Sequence, residues 1–347
     1  MKAIVLRGNG DYIYTDVETP KCPNDGLLLR VKACGLCGSD MRTLSSGHRN
    51  VTYPWIIGHE VCGVVAETGA EYKGPYHKDD VLTVAPNVYC GECEYCRAGR
   101  LDMCMNLREL AQQWKGGFAE YMAIPVEALQ RGCIVKISPE DDMAAAAIAE
   151  PPSSCINAQE KLGIGIMDTV LIIGSGPVGC IHVAVATARG AKKIIVADIS
   201  EDRLARCKEF GHNVLTIDSS KEDTVQRARE LTDGKGPDVV ITANPVGVTQ
   251  VQAVEVAKKG GRIAFFGGLP SGNSTPLIDT NLIHYKALTI IGTTNFAPQH
   301  HLTSLEMLRD GRIPADKLIS HRLPLSQFDE GVQLARAGKA LKVVFLP

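Results

Sequence analysis

TVLIIGSGPVGCIHVAVATARG, residues 169–190, decides the fold. An apolar run of strand length (169–174) meets three glycines, Gly174, Gly176 and Gly179, and then a twelve-residue apolar stretch that stops at Gly190. In a strand–turn–helix the first glycine of G-x-G-x-x-G permits the tight turn and the second lets backbone approach a pyrophosphate. The third lets the helix lie close on the strand, so phosphates sit at the helix N-terminus beside Pro177 and Val178. KIIVAD (193–198) is the next strand, and Asp198 at its end is placed to hold a ribose 2′-hydroxyl. A carboxylate there repels a 2′-phosphate, and Ile199, Ser200, Glu201 and Asp202 supply no basic cluster, so NAD(H) is expected over its phosphorylated form. Arg203 is the nearby cation, read either as a cover for the adenine ring or as an ordinary helix-surface charge.

Strands and helices keep alternating downstream: EDRLARCKEFG, VLTID, EDTVQRARELTDG, DVVITA, VQAVEVAKKGG and RIAFFG. That pattern means βαβ units and a parallel sheet, an α/β Rossmann fold. Upstream, residues 1–150 set short apolar runs (AIVL, LLLRV, VCGVVAE, VLTVAP) between Gly, Pro, Asn and Asp, which reads as β-rich. From about 288 the regularity fades through LTIIGTT, a helix HLTSLEMLRDG, a strand LISHRLPL, a helix SQFDEGVQLARAG and a closing strand LKVVFLP. Periodicity leaves open whether this segment is a third unit or returns to the first.

Ten of the twelve cysteines lie at or before Cys155. Cys90, Cys93, Cys96 and Cys104 form C-x2-C-x2-C-x7-C, four thiolates that can close a tetrahedral zinc with no position left for substrate. An iron–sulfur cluster fits worse, because the last gap and a following proline do not match its common spacing. Disulfides are not expected, since no secretory signal precedes the chain. Cys37 with Ser39 and Asp40, His59 with Glu60, and Glu150 before two prolines form a looser set. Cysteine, histidine and carboxylate are ligands of a catalytic zinc, although each residue alone also reads as an ordinary thiol, loop histidine or helix-end acid.

GLCGSD (35–40), IGHE (57–60), the four-cysteine lobe, AEPP (149–152) and GSGPVG (174–179) occur in the order seen in medium-chain zinc-dependent alcohol dehydrogenases. Over essentially its whole length the chain resembles that family, and most of all its polyol branch of sorbitol, galactitol-1-phosphate and threonine 3-dehydrogenases. The resemblance implies a GroES-like β-rich catalytic domain over 1–151, with a structural zinc lobe at 88–106. It also implies a doubly wound dinucleotide domain over 152–287, and a return of 288–347 to the catalytic domain. Two zinc ions per chain are implied. Cys37, His59, Glu60 and Glu150 would hold the catalytic one, with the choice between the two glutamates open. Ser39 would begin a proton relay, Asp40 would support the ligands, and Phe266, Gly267, Gly268, Thr293 and Thr294 would join the dinucleotide surface. One departure stands out: relatives often finish the relay with a histidine five residues after the zinc cysteine, and here that residue is Arg42, which does not release its proton.

Composition sets the outer bounds. The chain has 347 residues, enough for two domains, with 45% hydrophobic and 22% charged residues, so it is neither disordered nor fibrous. A net charge of −2 argues against nucleic acid or anionic membrane as partner. No apolar run is long enough to span a bilayer. The lobe mixes Arg97, Arg100 and Arg108 with Glu92, Glu94, Asp102 and Glu109, which disfavours a zinc-binding nucleic-acid module. A zinc-free reductase of the same fold is disfavoured by Cys37, His59 and Glu60. The expected activity is transfer of a hydride from a secondary hydroxyl of a polyol or sugar alcohol to NAD, giving a ketose. A polyol phosphate or threonine is the alternative substrate. Arg42, His48, Arg49, Trp55, Trp114, Lys115 and Phe118 are candidates for the rim of the substrate cleft by their closeness to the motifs, and the basic ones read equally as solvated surface. A cytoplasmic homo-oligomer, dimer or tetramer, completes the expectation.

Overall fold

Leu27–Gly35 buries every residue except Arg30 and Lys32, as a strand covered on both faces must. It is the spine of an eight-stranded sheet ordered Ile319–Pro324, Lys342–Leu346, Leu27–Gly35, Glu60–Thr68, Val81–Val88, Arg108–Glu109. Tyr121–Ile124 pairs beside the spine, and Gly132–Ile137 pairs with Val81–Val88. The computed structural model describes residues 1–270 and 272–347. They form two units: Met1–Ser153 with Asn295–Arg309 and Ala315–Pro347, and Ser154–Thr294 with Asp310–Pro314.

In the first unit the late strand Lys342–Leu346 runs antiparallel to the spine, with Val344 opposite Gly35 and Phe345 opposite Cys34. Phe118, Phe328 and Phe345 pack edge-on and tilted at centroid distances of 4.8–5.7 Å, locking this strand and the helix Phe328–Arg336 onto the core. Phe118 is therefore fully buried, packed beside Gly58, and does not form the exposed cleft rim that its sequence neighbourhood suggested. The Tyr89 hydroxyl donates to the Phe296 carbonyl at 2.6 Å, and Ser304 Oγ donates to the Ala149 carbonyl at 2.7 Å, fastening the returning chain to the segments it left.

The second unit is a six-stranded, all-parallel sheet in the order Val214–Asp218, Lys193–Asp198, Thr169–Ile173, Val239–Thr242, Arg262–Phe265, Thr289–Gly292. Counted along the chain this is 3-2-1-4-5-6, the doubly wound order with its switch point beside the first strand. The boundary expected at 287/288 falls in front of the sixth strand, whereas the units divide at Thr294. The reason is pairing: Thr289–Gly292 bonds to Arg262–Phe265 and so belongs with the parallel sheet. Among the described residues no helix is long and apolar enough to cross a membrane.

Candidate metal and dinucleotide sites

Cys37 precedes the helix Gly38–Ser46, and its backbone N–H donates to Asp40 Oδ2 at 3.0 Å. Asp40, 3% exposed, turns its other oxygen to His59 Nδ1 at 3.1 Å. A carboxylate only accepts, so Nδ1 carries a proton and Nε2 is the nitrogen left for a metal. Gly58, at φ +101°, makes the turn that delivers His59; a Cβ there would stand 2.8 Å from Phe118. Ser39 Oγ lies 3.4 Å from His59 Nε2. Glu60 is wholly buried at the start of its strand, with Oε1 2.5 Å from Lys342 Nζ and Oε2 without a partner. Glu150 begins the helix Glu150–Leu162, where the two following prolines suit the first turn.

One ligand atom each from Cys37, His59, Glu60 and Glu150 lies within 4.8 Å of all the others. Burial opposes a charged His59 ring, but the Asp40 carboxylate and then Cys37 outweigh it and hold its pKa well above the usual value. Burial pushes the Glu150 carboxyl up to about 7; the His59 charge pulls it down and Glu60 pushes it further up. A thiol, a tautomer-fixed imidazole and two carboxylates, Glu60 among them with its orphaned Oε2, suit a zinc that takes three of these donors and keeps one position exchangeable. Arg42 is exposed on its helix.

The lobe is equally well formed. Cys90, Cys93, Cys96 and Cys104 offer four sulfurs within 4.8 Å of one another, and backbone N–H groups of Cys93, Cys96 and Cys90 donate to three of them at 3.3–3.5 Å. Gly91 and Gly99, at φ +77° and +76°, make the bends. Backbone donors from Glu92 and Cys93 lower the Cys90 thiol to about 6, while burial raises Cys96 to about 12. A metal would stabilise all four as thiolates.

In the second unit Gly174, at φ +113°, closes the turn, and a Cβ on Gly179 would collide with the Gly174 carbonyl. Gly176 instead faces open space, with nothing within 4 Å of where its Cβ would be, which leaves room for a phosphate at the start of the helix Pro177–Ala188. Val178 lies in that helix's first turn. Asp198 receives the Ser175 N–H at 2.7 Å and the Ser200 N–H at 3.0 Å, and Arg203 sits in the first turn of the next helix. Phe266, Gly267 and Gly268 follow the fifth strand of the sheet, and Thr293 and Thr294 the sixth. These residues therefore share the carboxyl edge of the parallel sheet, where such folds bind ligands. The Oγ atoms of Ser175 and Thr293 are buried without partners.

Sequence reasoning missed Lys342. The signal was a lysine opening an otherwise apolar strand, KVVFL, and Lys342 is almost completely buried. Of the seven cysteines without a metal role, six are buried and Cys22 is partly so.

Residues 23–134 match the alcohol dehydrogenase GroES-like domain, and residues 177–309 match the zinc-binding dehydrogenase family. The chain belongs to the medium-chain zinc-dependent alcohol dehydrogenases, oxidoreductases acting on CH–OH donors, on their polyol branch. Among relatives, a sorbitol dehydrogenase of Halalkalibacterium halodurans is 30% identical over 100% of this chain and 99% of its own. An L-threonine 3-dehydrogenase of Pyrococcus horikoshii is 32% identical over 95% of this chain and 94% of its own. A zinc-binding dehydrogenase structure from Sinorhizobium meliloti, bound to NADP, superposes with a TM-score of 0.90 at 31% identity, covering 100% of this chain and 99% of that one.

Proposed function

We propose that this chain oxidises a secondary hydroxyl of a neutral polyol to a ketone with NAD as acceptor, and runs the reverse reaction. The observation that carries this reading is the cluster of Cys37, His59, Glu60 and Glu150; three of these donors would hold a zinc and leave one place for an alcohol. The first unit, with the four-cysteine lobe as a structural zinc site, is assigned the substrate and the catalytic zinc, and the second unit the dinucleotide. When bound, the zinc polarises the alcohol oxygen and the nicotinamide takes up the hydride.

The protein's own residues do the rest. Asp40 orients His59 and anchors the Cys37 backbone, fixing two ligands with one carboxylate. Ser39 accepts the alcohol proton and passes it on; its hydroxyl, beside His59, is near the ligand atoms. Arginine is not a proton shuttle, so beyond Ser39 the proton would pass to water or to a hydroxyl that the bound dinucleotide would supply. Asp198 binds the adenosine ribose and repels a 2′-phosphate, which favours NAD although the Sinorhizobium meliloti structure carries NADP.

The twelve free cysteines suit a reducing cytoplasm, and a homo-oligomer is expected from the family. The deciding experiment offers polyols, polyol phosphates and threonine, each with NAD and NADP, and follows reduced-cofactor absorbance alongside metal content. Turnover of neutral polyols with NAD and two zinc ions per chain supports the reading. Full activity of Cys37→Ala would sink it.

A further inference from the structure

His182 lies wholly buried in the helix Pro177–Ala188, about one turn beyond Gly179. Gln159, buried in the helix Glu150–Leu162, donates from Nε2 to the His182 backbone carbonyl at 2.8 Å and to its Nδ1 at 3.2 Å. The carbonyl fixes the amide, because the opposite orientation would set oxygen against oxygen. Nδ1 therefore accepts, and the proton of the neutral ring sits on Nε2. Burial keeps the ring neutral, lowering its pKa to about 3. Among the described residues Nε2 has no oxygen or nitrogen partner, and neither has Gln159 Oε1. What the imidazole meets instead is the Phe266 ring, perpendicular to it at a centroid distance of 4.6 Å. Such an edge-to-face contact returns little for two buried polar atoms left unmet.

Phe266 is half-buried, just past the strand Arg262–Phe265 at the carboxyl edge of the parallel sheet. Its backbone is pinned from the next residue. The Gly267 N–H donates to the Thr242 carbonyl at 2.8 Å, and a Cβ on Gly267 would collide with the Asn244 carbonyl. Only the phenyl ring is left to place, and His182 reaches it from the helix whose start offers the phosphate seat. Resting on the dinucleotide-site reading above, we infer that His182 is a positioning residue for the dinucleotide, holding the Phe266 ring in the orientation that the cofactor meets. Gln159 locks the imidazole, the imidazole stops the phenyl ring from turning, and the ring's open side is ready for the ligand. A ring that must be ordered during binding weakens affinity by about 2–10-fold.

The test titrates NADH, or NADPH where NADH does not bind, into the full chain and follows cofactor fluorescence, with thermal melts alongside. His182→Leu removes the unmet N–H together with the lock on Phe266. The melting temperature should hold or rise, since an apolar side chain of similar size replaces an unsatisfied polar one. Affinity for the reduced dinucleotide should nevertheless fall about fivefold. Phe266→Leu should lower it about tenfold. The double variant should bind no more weakly than Phe266→Leu alone, because His182 acts only through that ring. Unchanged affinity in His182→Leu overturns the inference. So does a double variant in which the two losses multiply, the mark of a general effect on the fold. If His182→Leu does not fold, Gln159→Leu is read in its place: the unlocked imidazole should weaken binding, and unchanged affinity there overturns the inference equally. Failure of the dinucleotide-site reading itself looks different: the unmodified chain would take up neither reduced cofactor, and the inference would fall with it.

Discussion

Asp40→Asn isolates how the chain prepares His59 for a metal. The two Asp40 oxygens accept from two donors, the Cys37 N–H at 3.0 Å and His59 Nδ1 at 3.1 Å, in a position only 3% exposed. An amide of the same shape has one acceptor and one donor, so it cannot satisfy both. With its oxygen toward Cys37, its NH2 faces the ring, Nδ1 becomes an acceptor and Nε2 takes the proton the metal must displace. With its oxygen toward His59, the NH2 meets the Cys37 N–H, and a buried donor is left unmet at a cost of about 1–3 kcal/mol. Either arrangement strikes a metal ligand. Loss of such support lowers metal affinity about 10–100-fold, equivalent to roughly 1.4–2.7 kcal/mol. The assay is a zinc competition titration against a chromophoric chelator, with the four-cysteine lobe as internal reference. The expected result is one site weakened by that factor and the lobe unchanged. Equal affinities at both sites in the variant and the parent chain would refute the tautomer argument. Equal weakening of both would instead mark general unfolding.

Three further outcomes follow from the packing. Cys96→Ser should remove one zinc per chain and lower the melting temperature by roughly 5–10 °C, because the lobe's sulfurs pack on the small cluster of Tyr89, Cys133 and Phe296; calorimetry with metal analysis checks it, and an unchanged melting point would refute a structural role. Gly176→Ala should leave the melting temperature unchanged yet weaken reduced-dinucleotide binding at least about tenfold, about 1.4 kcal/mol, whereas Gly179→Ala, forced against the Gly174 carbonyl, should lose about 1–3 kcal/mol of stability as well; fluorescence titration beside thermal melts separates them, and intact binding in Gly176→Ala would refute the phosphate seat. Burial lowers His182 to about 3 and His301 to about 4, from 6.5. Both folded values are depressed, so stability is full above pH 6.5 and drains as pH falls from there toward 4 and then 3. The His301 share, from 6.5 down to about 4, amounts to roughly 3 kcal/mol. Urea midpoints at pH 7, 5 and 4 should fall accordingly, less steeply in His182→Gln; equal midpoints would refute the assignment.

The parallel sheet was readable because GSGPVG and its flanking runs are local: the turn, the helix start and the acid at 198 all lie within thirty residues. The lobe was readable for the same reason, since its four sulfurs span fifteen positions and the bends need Gly91 and Gly99. What escaped depends on distant pairing. LTIIG reads equally well as the sheet's last strand or the start of a return, and only its bonds to Arg262–Phe265 decide. Phe118 sits among motif residues along the chain, yet the aromatics of the returning segment bury it. Lys342 has no local reason to matter; its meaning comes from a glutamate 282 positions earlier.

That separation has a temporal consequence. Glu60 and its cation are 282 residues apart, so at about 5–20 residues per second a ribosome takes roughly 14–56 s to make the second after the first. Throughout that interval Cys37, His59 and Glu60 exist as a nascent thiol, imidazole and carboxylate with no lysine to neutralise the acid. The strand that closes the sheet beside Gly35 is likewise still unmade. Metal can meet those ligands during synthesis, but the ion pair beside them waits for the final strand. The first unit is therefore begun early and finished last, after the whole inserted sheet has emerged and had time to fold.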